Sequence, residues 1–296
     1  MSHFAFFLVI LAGFIHAMWN IAAKKAGGDA RFACLSNLIL MVVWAPVGIY
    51  FGWDVVPDWG WKEWSFIVAS GVLHGLYFVT LLRGYRKSEL TVVYPMARGF
   101  APLISSFAAL FLLGEQISLF GVLGILAVVG GVFLIAGGPK IFRAVLAGSG
   151  AESQRKRIHK GIYYGLLTGI FIAAYTVLDG YAVKVLLLAP VLLYYFCNFF
   201  QVAFLLPALW RNQYSTIVSW RSQWKYALIV AVVSPISYVL VLYAMQIAPL
   251  SHVAPAREVS MLFAALIGGR LLGEGDRVIR IVGAVFIAGG VIALGI

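Results

Sequence analysis

Arg98 and Arg257 each stand inside an apolar run, and each is followed, at the same spacing, by the glutamate of a Leu-Gly-Glu tripeptide. YPMARGFAPLISSFAALFLLGE ends on Glu115 and VAPAREVSMLFAALIGGRLLGE ends on Glu274. A guanidinium facing lipid at the centre of a membrane helix costs roughly 2.5–3.5 kcal/mol, so both must point inward, toward water, an acid or a ligand. The chemistry that suits such a pair is recognition of a carboxylate, phosphate or phosphonate through charge-assisted hydrogen bonds. The competing role is a fixed ion pair. Asp179 and Glu258 are expected at the depth of Arg257, whereas Arg98 has no acid at its depth, only His16 and Asn20, so Arg98 is the expected unpaired member.

Tyr77, Tyr94, Tyr175, Tyr238, Tyr243 and Trp19 are candidates to wall a cavity around these arginines, although an aromatic in a membrane helix serves as readily in packing or in an interfacial belt. His16, His74 and His252 titrate near neutral pH and, with Asp179 and Glu258, are candidates for proton relay or ion pairing; the alternative for each histidine is a hydrogen bond to a neighbouring helix. Pro95 and Pro102 flank Arg98, Pro249 and Pro255 precede Arg257, and Pro235 lies farther upstream. Each removes a backbone hydrogen bond and bends its helix. No P-loop, HExxH, GxSxG or paired-cysteine motif is present, so neither an enzyme, a metal site nor a cofactor is expected.

The elements that must hold these side chains follow from composition. In 296 residues, 62% are hydrophobic and 11% charged, with a mean hydropathy of +0.96, which excludes an ordinary globular protein. A span takes about 20 apolar residues, and breaks at charges and Pro/Gly clusters place ten: 4–23, 32–52, 64–82, 91–113, 118–137, 161–182, 186–210, 224–246, 251–272 and 278–296. Runs such as VLGILAVVGGVFLIAGG do not alternate, which excludes a β-barrel. Lys24 and Lys25 follow the first apolar stretch rather than precede it, so it reads as a retained helix and not a signal peptide. Cys34 and Cys197 fall singly inside spans and make no disulfide framework.

The net charge of +11 reports topology, not nucleic acid. Of the 22 Lys and Arg, all but Lys62, Lys184, Arg98 and Arg257 fall in or beside the connections after the first, third, fifth, seventh and ninth spans. The positive-inside rule then puts those connections in the cytoplasm and both termini outside. Five spans per half is odd, so the two copies enter the membrane in opposite senses. The expectation is an all-α membrane protein of two inverted five-helix repeats, 1–137 and 161–296, joined by a basic cytoplasmic linker, 138–160. The first helices align either by Gly13 with Gly169 or by Lys24 with Lys184. Inversion puts Arg98 and Arg257 on opposite sides of the midplane, each roughly 6 Å from it at 1.5 Å per residue. Glu115 and Glu274 are expected to cap helix ends. The glycines of the fifth and tenth spans, Gly121, Gly124, Gly130 and Gly131 with Gly283, Gly289 and Gly290, are expected to form packing seams.

Two five-helix copies, a basic linker and the pattern APLSHVAPAREVSMLFAALIGGRLLGE before a glycine-rich last helix resemble the EamA family of the drug/metabolite transporter superfamily. The resemblance covers nearly the whole chain. It implies a carrier working by alternating access, its cavity walled by spans 1, 3, 4, 6, 8 and 9 and flanked by 5 and 10, commonly moving amino acids, other metabolites or drugs outward. HAMWN with VYPMARG resembles a subset associated with phosphonate utilisation. The expected function is an inner-membrane secondary exporter of a small anionic or zwitterionic metabolite, such as an amino acid or a phosphonate-like solute. Its expected contacts are Arg98, Arg257, Tyr94, Tyr77, Trp19, Asn20, His16, Tyr175 and Tyr238, with Asp179, Glu258 and His74 in coupling or ion pairing. Its partners are then a small solute, the bilayer and coupling protons, with no nucleic acid, as a monomer or homodimer. Two alternatives stay open: a broad exporter of amines or drugs that binds through intramembrane acids, and a non-transporting membrane scaffold.

Overall fold

The computed structural model describes residues 1–26, 29–136, 152–210, 213–272 and 277–296. Glu274 and most of the expected linker lie outside the described residues. Among those described there are helices and no strands. In chain order they are α1 (His3–Lys25), α2 (Ala30–Val43), α3 (Ala45–Gly52), a short 3-10 turn (Val56–Asp58), α4 (Trp61–Lys87), α5 (Leu90–Leu112) and α6 (Leu119–Ile135). The second half supplies α7 (Glu152–Lys184), α8 (Pro190–Trp210), α9 (Gln213–Ile247), α10 (Leu250–Ala256), α11 (Val259–Leu272) and α12 (Arg277–Gly295). Six helices, α1, α4, α5, α7, α9 and α12, contain stretches long and apolar enough to cross a bilayer. The pair α2–α3 qualifies only jointly, bent by 53° at Trp44, while α6 and α8 are shorter apolar helices. One boundary is corrected: residues 152–160, expected in the linker, are the first turns of α7.

Proline decides where the chain bends and what fills the gaps. Pro255 has no N–H to offer the Ser251 carbonyl one turn earlier, and that carbonyl accepts the Ser106 hydroxyl instead, at 3.0 Å. Pro235 likewise frees the Ala231 carbonyl of α9, which accepts the Trp44 indole N–H at 3.2 Å. Both repairs come from the other half of the chain. After Pro255 the helix breaks at Arg257 and Glu258, held by tight turns: Glu258 N donates to Pro255 O at 3.0 Å and Met261 N to Glu258 O at 2.8 Å. The equivalent segment of the first half, α5, keeps Pro95 and Pro102 inside one continuous helix. The expected span 251–272 is therefore a broken helix, and the break falls at its arginine.

Close approach through glycine locks the halves together. A Cβ on Gly124 would come within 2.9 Å of the Gly290 carbonyl, and one on Gly131 within 2.5 Å of that of Gly283, so α6 and α12 meet backbone to backbone. Gly130 lies at the margin of this seam, where a Cβ would meet Phe286 of α12 at 3.9 Å, and a Cβ on Gly289 would meet nothing within 4 Å. At the centre, Gly169 of α7 lies under the Ala97 carbonyl of α5, and Gly13 of α1 lies against Val259 and Ser260 of α11. Each half's first helix thus packs on the arginine-bearing segment of the other, which favours aligning the repeats by Gly13 and Gly169.

Candidate functional site

A cavity of about 250 Å³ lies among α1, α4, α5, α7, α9 and the α10–α11 break, the elements that the family resemblance implied. Arg98, Arg257, Tyr94, Tyr77 and Trp19 line it, as do Asn20, His16, Tyr175 and Tyr238. Tyr243 does not, being 37% exposed on the outside of α9. His252 is also elsewhere, its Nδ1 3.1 Å from the Leu294 carbonyl of α12. The cavity's outer rim is Asn20, whose side-chain amide donates to the His16 carbonyl at 2.9 Å. That rim is the end at which α1 runs into Lys24 and Lys25 and α4 into Arg83, Arg86 and Lys87.

The electrostatic centre differs from the expectation. Arg98 is not the unpaired arginine: its Nη2 lies 2.9 Å from Glu258 Oε2, while Arg257 Nε lies 3.9 Å from Glu258 Oε1. The physical reason is packing between the halves: Glu258 lies beside Arg257 at the helix break, and its carboxylate reaches across the interface to Arg98 of α5. The two guanidinium groups therefore meet on one carboxylate in this conformation instead of forming two separate stations. Glu258 itself is hidden, with 2% of its side chain exposed, against 16% for Arg98 and 12% for Arg257. Arg98 Nε, Arg257 Nη1 and Trp19 Nε1 have no hydrogen-bond acceptor among the described residues, while Arg257 Nη2 donates weakly to Tyr175 Oη at 3.4 Å.

Asp179 is also not the fixed partner of Arg257. It lies behind the cavity wall, 1% exposed, with Oδ2 accepting the Tyr238 hydroxyl at 2.7 Å and Oδ1 without a partner. His74 stacks on Tyr175 at 3.8 Å between ring centroids, its Nδ1 2.9 Å from the Ser70 carbonyl. Sequence reasoning passed over several neighbours here. Ser70 Oγ sits 2.9 Å from Cys197 Sγ, and Tyr85, Thr168, Ser237 and Ser260 line the cavity. Tyr85 lies between Arg83 and Arg86, where an aromatic reads as interfacial, and isolated serines carry no spacing signal.

The first Leu-Gly-Glu follows the end of α5 and joins the halves away from Asn20. Gly114, at φ +63°, turns the chain out of α5 in the left-handed conformation that glycine adopts without strain, and this aims Glu115 at the start of α10. Glu115 Oε1 accepts from Leu250 N at 2.7 Å, Oε2 accepts from Ser251 N at 2.9 Å, and Lys184 Nζ lies 3.0 Å from Oε1. Burial works to raise the pKa of Glu115, but these amides and Lys184 outweigh it and hold the carboxyl below its ordinary value. The capping expectation for Glu115 takes the form of a clamp by one half on a helix of the other.

A solved crystal structure of a protein superposes on this chain with a TM-score of 0.72 at 14% identity, covering 98% of this chain and 97% of the other, and so shares its fold. No protein of curated function matches the chain by sequence. The profile of the EamA-like transporter family matches residues 3–137 and 159–296, one match to each half. With six apolar helices of spanning length and two matches that together cover nearly its whole length, this multi-pass membrane protein belongs to the EamA-like transporter family.

Proposed function

We propose that the protein is a secondary carrier that moves a small carboxylate-bearing or other anionic metabolite, zwitterions included, through the cavity at Arg98 and Arg257. The observation that carries this reading is the ratio of charges at the wall: two guanidinium groups share a single carboxylate, and each keeps an N–H with no acceptor among the described residues. A buried donor without a partner costs about 1–3 kcal/mol, and a charge-assisted bond to a solute oxygen recovers that cost. Five tyrosines, Tyr77, Tyr85, Tyr94, Tyr175 and Tyr238, add hydroxyls and ring faces for the rest of the solute.

The reading includes alternating access by two inverted halves of five spans each, in the inner membrane with both termini outside. On that topology the Asn20 rim faces the cytoplasm and the Glu115 clamp closes the exterior, an inward-open carrier poised to take up its load for export, with protons as the coupling ion. The amine-exporter alternative is less well supported, because both intramembrane acids are withdrawn from the cavity, Asp179 to 1% and Glu258 to 2% exposure. Thermal unfolding of purified protein across a metabolite panel tests the reading, since a ligand that binds the native state raises the apparent stability. Stabilisation confined to carboxylates, phosphates or phosphonates is expected; stabilisation by amines alone would refute it.

A further inference from the structure

Asp179 is the one buried acid at this site with no cation at ion-pairing distance among the described residues, and the hydroxyl of Tyr238, a residue of the cavity wall, donates to it. Glu258 is held by Arg98 at 2.9 Å, so protonating it would strand two guanidinium groups. His74 is the other titratable neighbour. Its Nδ1 is engaged by the Ser70 carbonyl and its ring lies on Tyr175, and a proton there would add a third cation beside two arginines. Of the three, Asp179 alone is discharged by a proton without the breaking of an ion pair.

The groups facing Asp179 come from each neighbouring helix. α4 supplies His74 and Ser70, α8 supplies Cys197, α9 supplies Tyr238, and Arg257 approaches from the α10–α11 break. Tyr175 lies on the same helix as Asp179, one turn earlier. α10 presents only Leu250, packed on Gly180. The hydroxyl of Tyr238, a residue of the cavity wall, is a polar link between the cavity and the carboxyl.

We propose that Asp179 is the proton-binding site of the carrier, protonated when an anionic solute occupies the arginines and ionised when the cavity is empty. The step follows from charge balance and rests on the anion-carrier reading above. In the empty site Arg98 and Arg257 are matched by Glu258 and Asp179. A monoanionic solute adds one negative charge to a cavity where uncompensated charge is expensive. One proton, taken from water through the cavity onto Oδ1 or Oδ2 of Asp179, restores neutrality, and its release on the far side accompanies release of the solute. The carrier then moves one proton with each monoanion, in the same direction. Net direction follows the sum of the two gradients: export while the cytoplasmic solute excess outweighs the inward proton gradient, uptake when the exterior is acid enough to reverse that sum.

The test uses the full chain in liposomes with an entrapped pH dye and a panel of radiolabelled monocarboxylates. Wild type should move one proton per carboxylate. Asp179→Asn should lose the solute-driven pH change while keeping exchange of labelled for unlabelled solute. Carboxylate flux without proton flux in wild type, or proton flux that survives Asp179→Asn, would overturn the inference while leaving the anion-carrier reading intact; absence of any carboxylate flux would strike the carrier reading first. A solute-free measurement then decides the proton site. The infrared difference between wild type and Asp179→Asn should contain a carboxylic-acid band that grows and fades as the pH is stepped across the range in which the protein stays folded. A carboxyl fixed in one form across that range overturns the proposal. If the amide variant fails to insert, Asp179→Glu, which shifts the band, gives the same difference.

Discussion

Arg98 and Glu258 come from opposite repeats and form the tightest ion pair at the centre of the fold, 2.9 Å from Nη2 to Oε2. In the repeat alignment that matches Arg98 with Arg257, Glu258 corresponds to Gly99, beside whose Cβ position nothing lies within 4 Å. The duplication supplied two arginines and only one acid. This asymmetry leaves unpaired N–H groups at the cavity wall, and it ties the halves together at the point where a solute would bind.

Replacing Glu258 by Gln should take from Arg98 and Arg257 the carboxylate that they share, and breaking a buried pair in this way costs about 3–5 kcal/mol. A large fall in apparent Tm is expected in detergent. A bound carboxylate would substitute for the lost charge, so the ligand-induced rise in Tm should be larger in Glu258→Gln than in wild type. Equal rises in both proteins would show that solute and Glu258 do not compete for the same arginines.

The two arginines should respond differently to removal. Arg257 is held loosely, at 3.9 Å from Glu258 and 3.4 Å from Tyr175, so Arg257→Gln should fold normally and lose roughly tenfold or more in solute affinity, the worth of one charged hydrogen bond. Arg98→Gln should lose affinity and stability together, because it strands Glu258. Binding isotherms and thermal melts on both variants separate these outcomes.

Pro255 and Ser106 give a prediction about the fold itself. Ser106→Ala removes the hydroxyl that satisfies the Ser251 carbonyl and should cost about 1–3 kcal/mol. Adding Pro255→Ala restores a backbone N–H for that same carbonyl, so the double variant should recover part of the loss. A double variant less stable than the sum of the single changes would show that the proline is needed for the break at Arg257 and not merely tolerated.

The Glu115 clamp should weaken in acid. Its carboxyl is held below the ordinary value in the folded protein, so its contribution is fully present above the carboxylate range and is lost as pH falls through the folded value. At neutral pH, Glu115→Gln should reproduce the acid state. Position 251 is completely buried, and a Ser251→Cys probe should react with an impermeant thiol reagent roughly tenfold faster in the Glu115→Gln background, as expected for loss of a charged contact. Unchanged labelling would show that the clamp does not control access from that face.

Much of this arrangement could be read from the chain because it rests on repetition. The recurrence of Arg98 and Glu115 as Arg257 and Glu274 pointed to the two halves, and intramembrane polar and aromatic residues such as Asn20, Tyr77 and Tyr94 could be placed on one cavity by the rule that lipid rejects them. The partner of Arg98 was hidden for a reason of geometry. Glu258 adjoins Arg257 along the chain, but the guanidinium nearest its carboxylate belongs to α5 of the other half. Pro255 marked that a break was available, but Pro95 and Pro102 lie just as close to Arg98 and leave α5 continuous, so proline content alone does not locate it. Asp179, expected beside Arg257, instead accepts a hydrogen bond from the Tyr238 hydroxyl of α9. Tyr238 carried no mark in the sequence that distinguished this role from that of any other aromatic.

The central claim, that the arginine pair binds the transported anion, is tested most directly by counterflow in liposomes loaded with unlabelled carboxylate, comparing wild type with the Arg98→Gln/Arg257→Gln double variant. Wild type should accumulate labelled carboxylate transiently, and the double variant, inserted in equal amount, should show none above protein-free liposomes. Counterflow by the double variant at the wild-type KM would contradict the account.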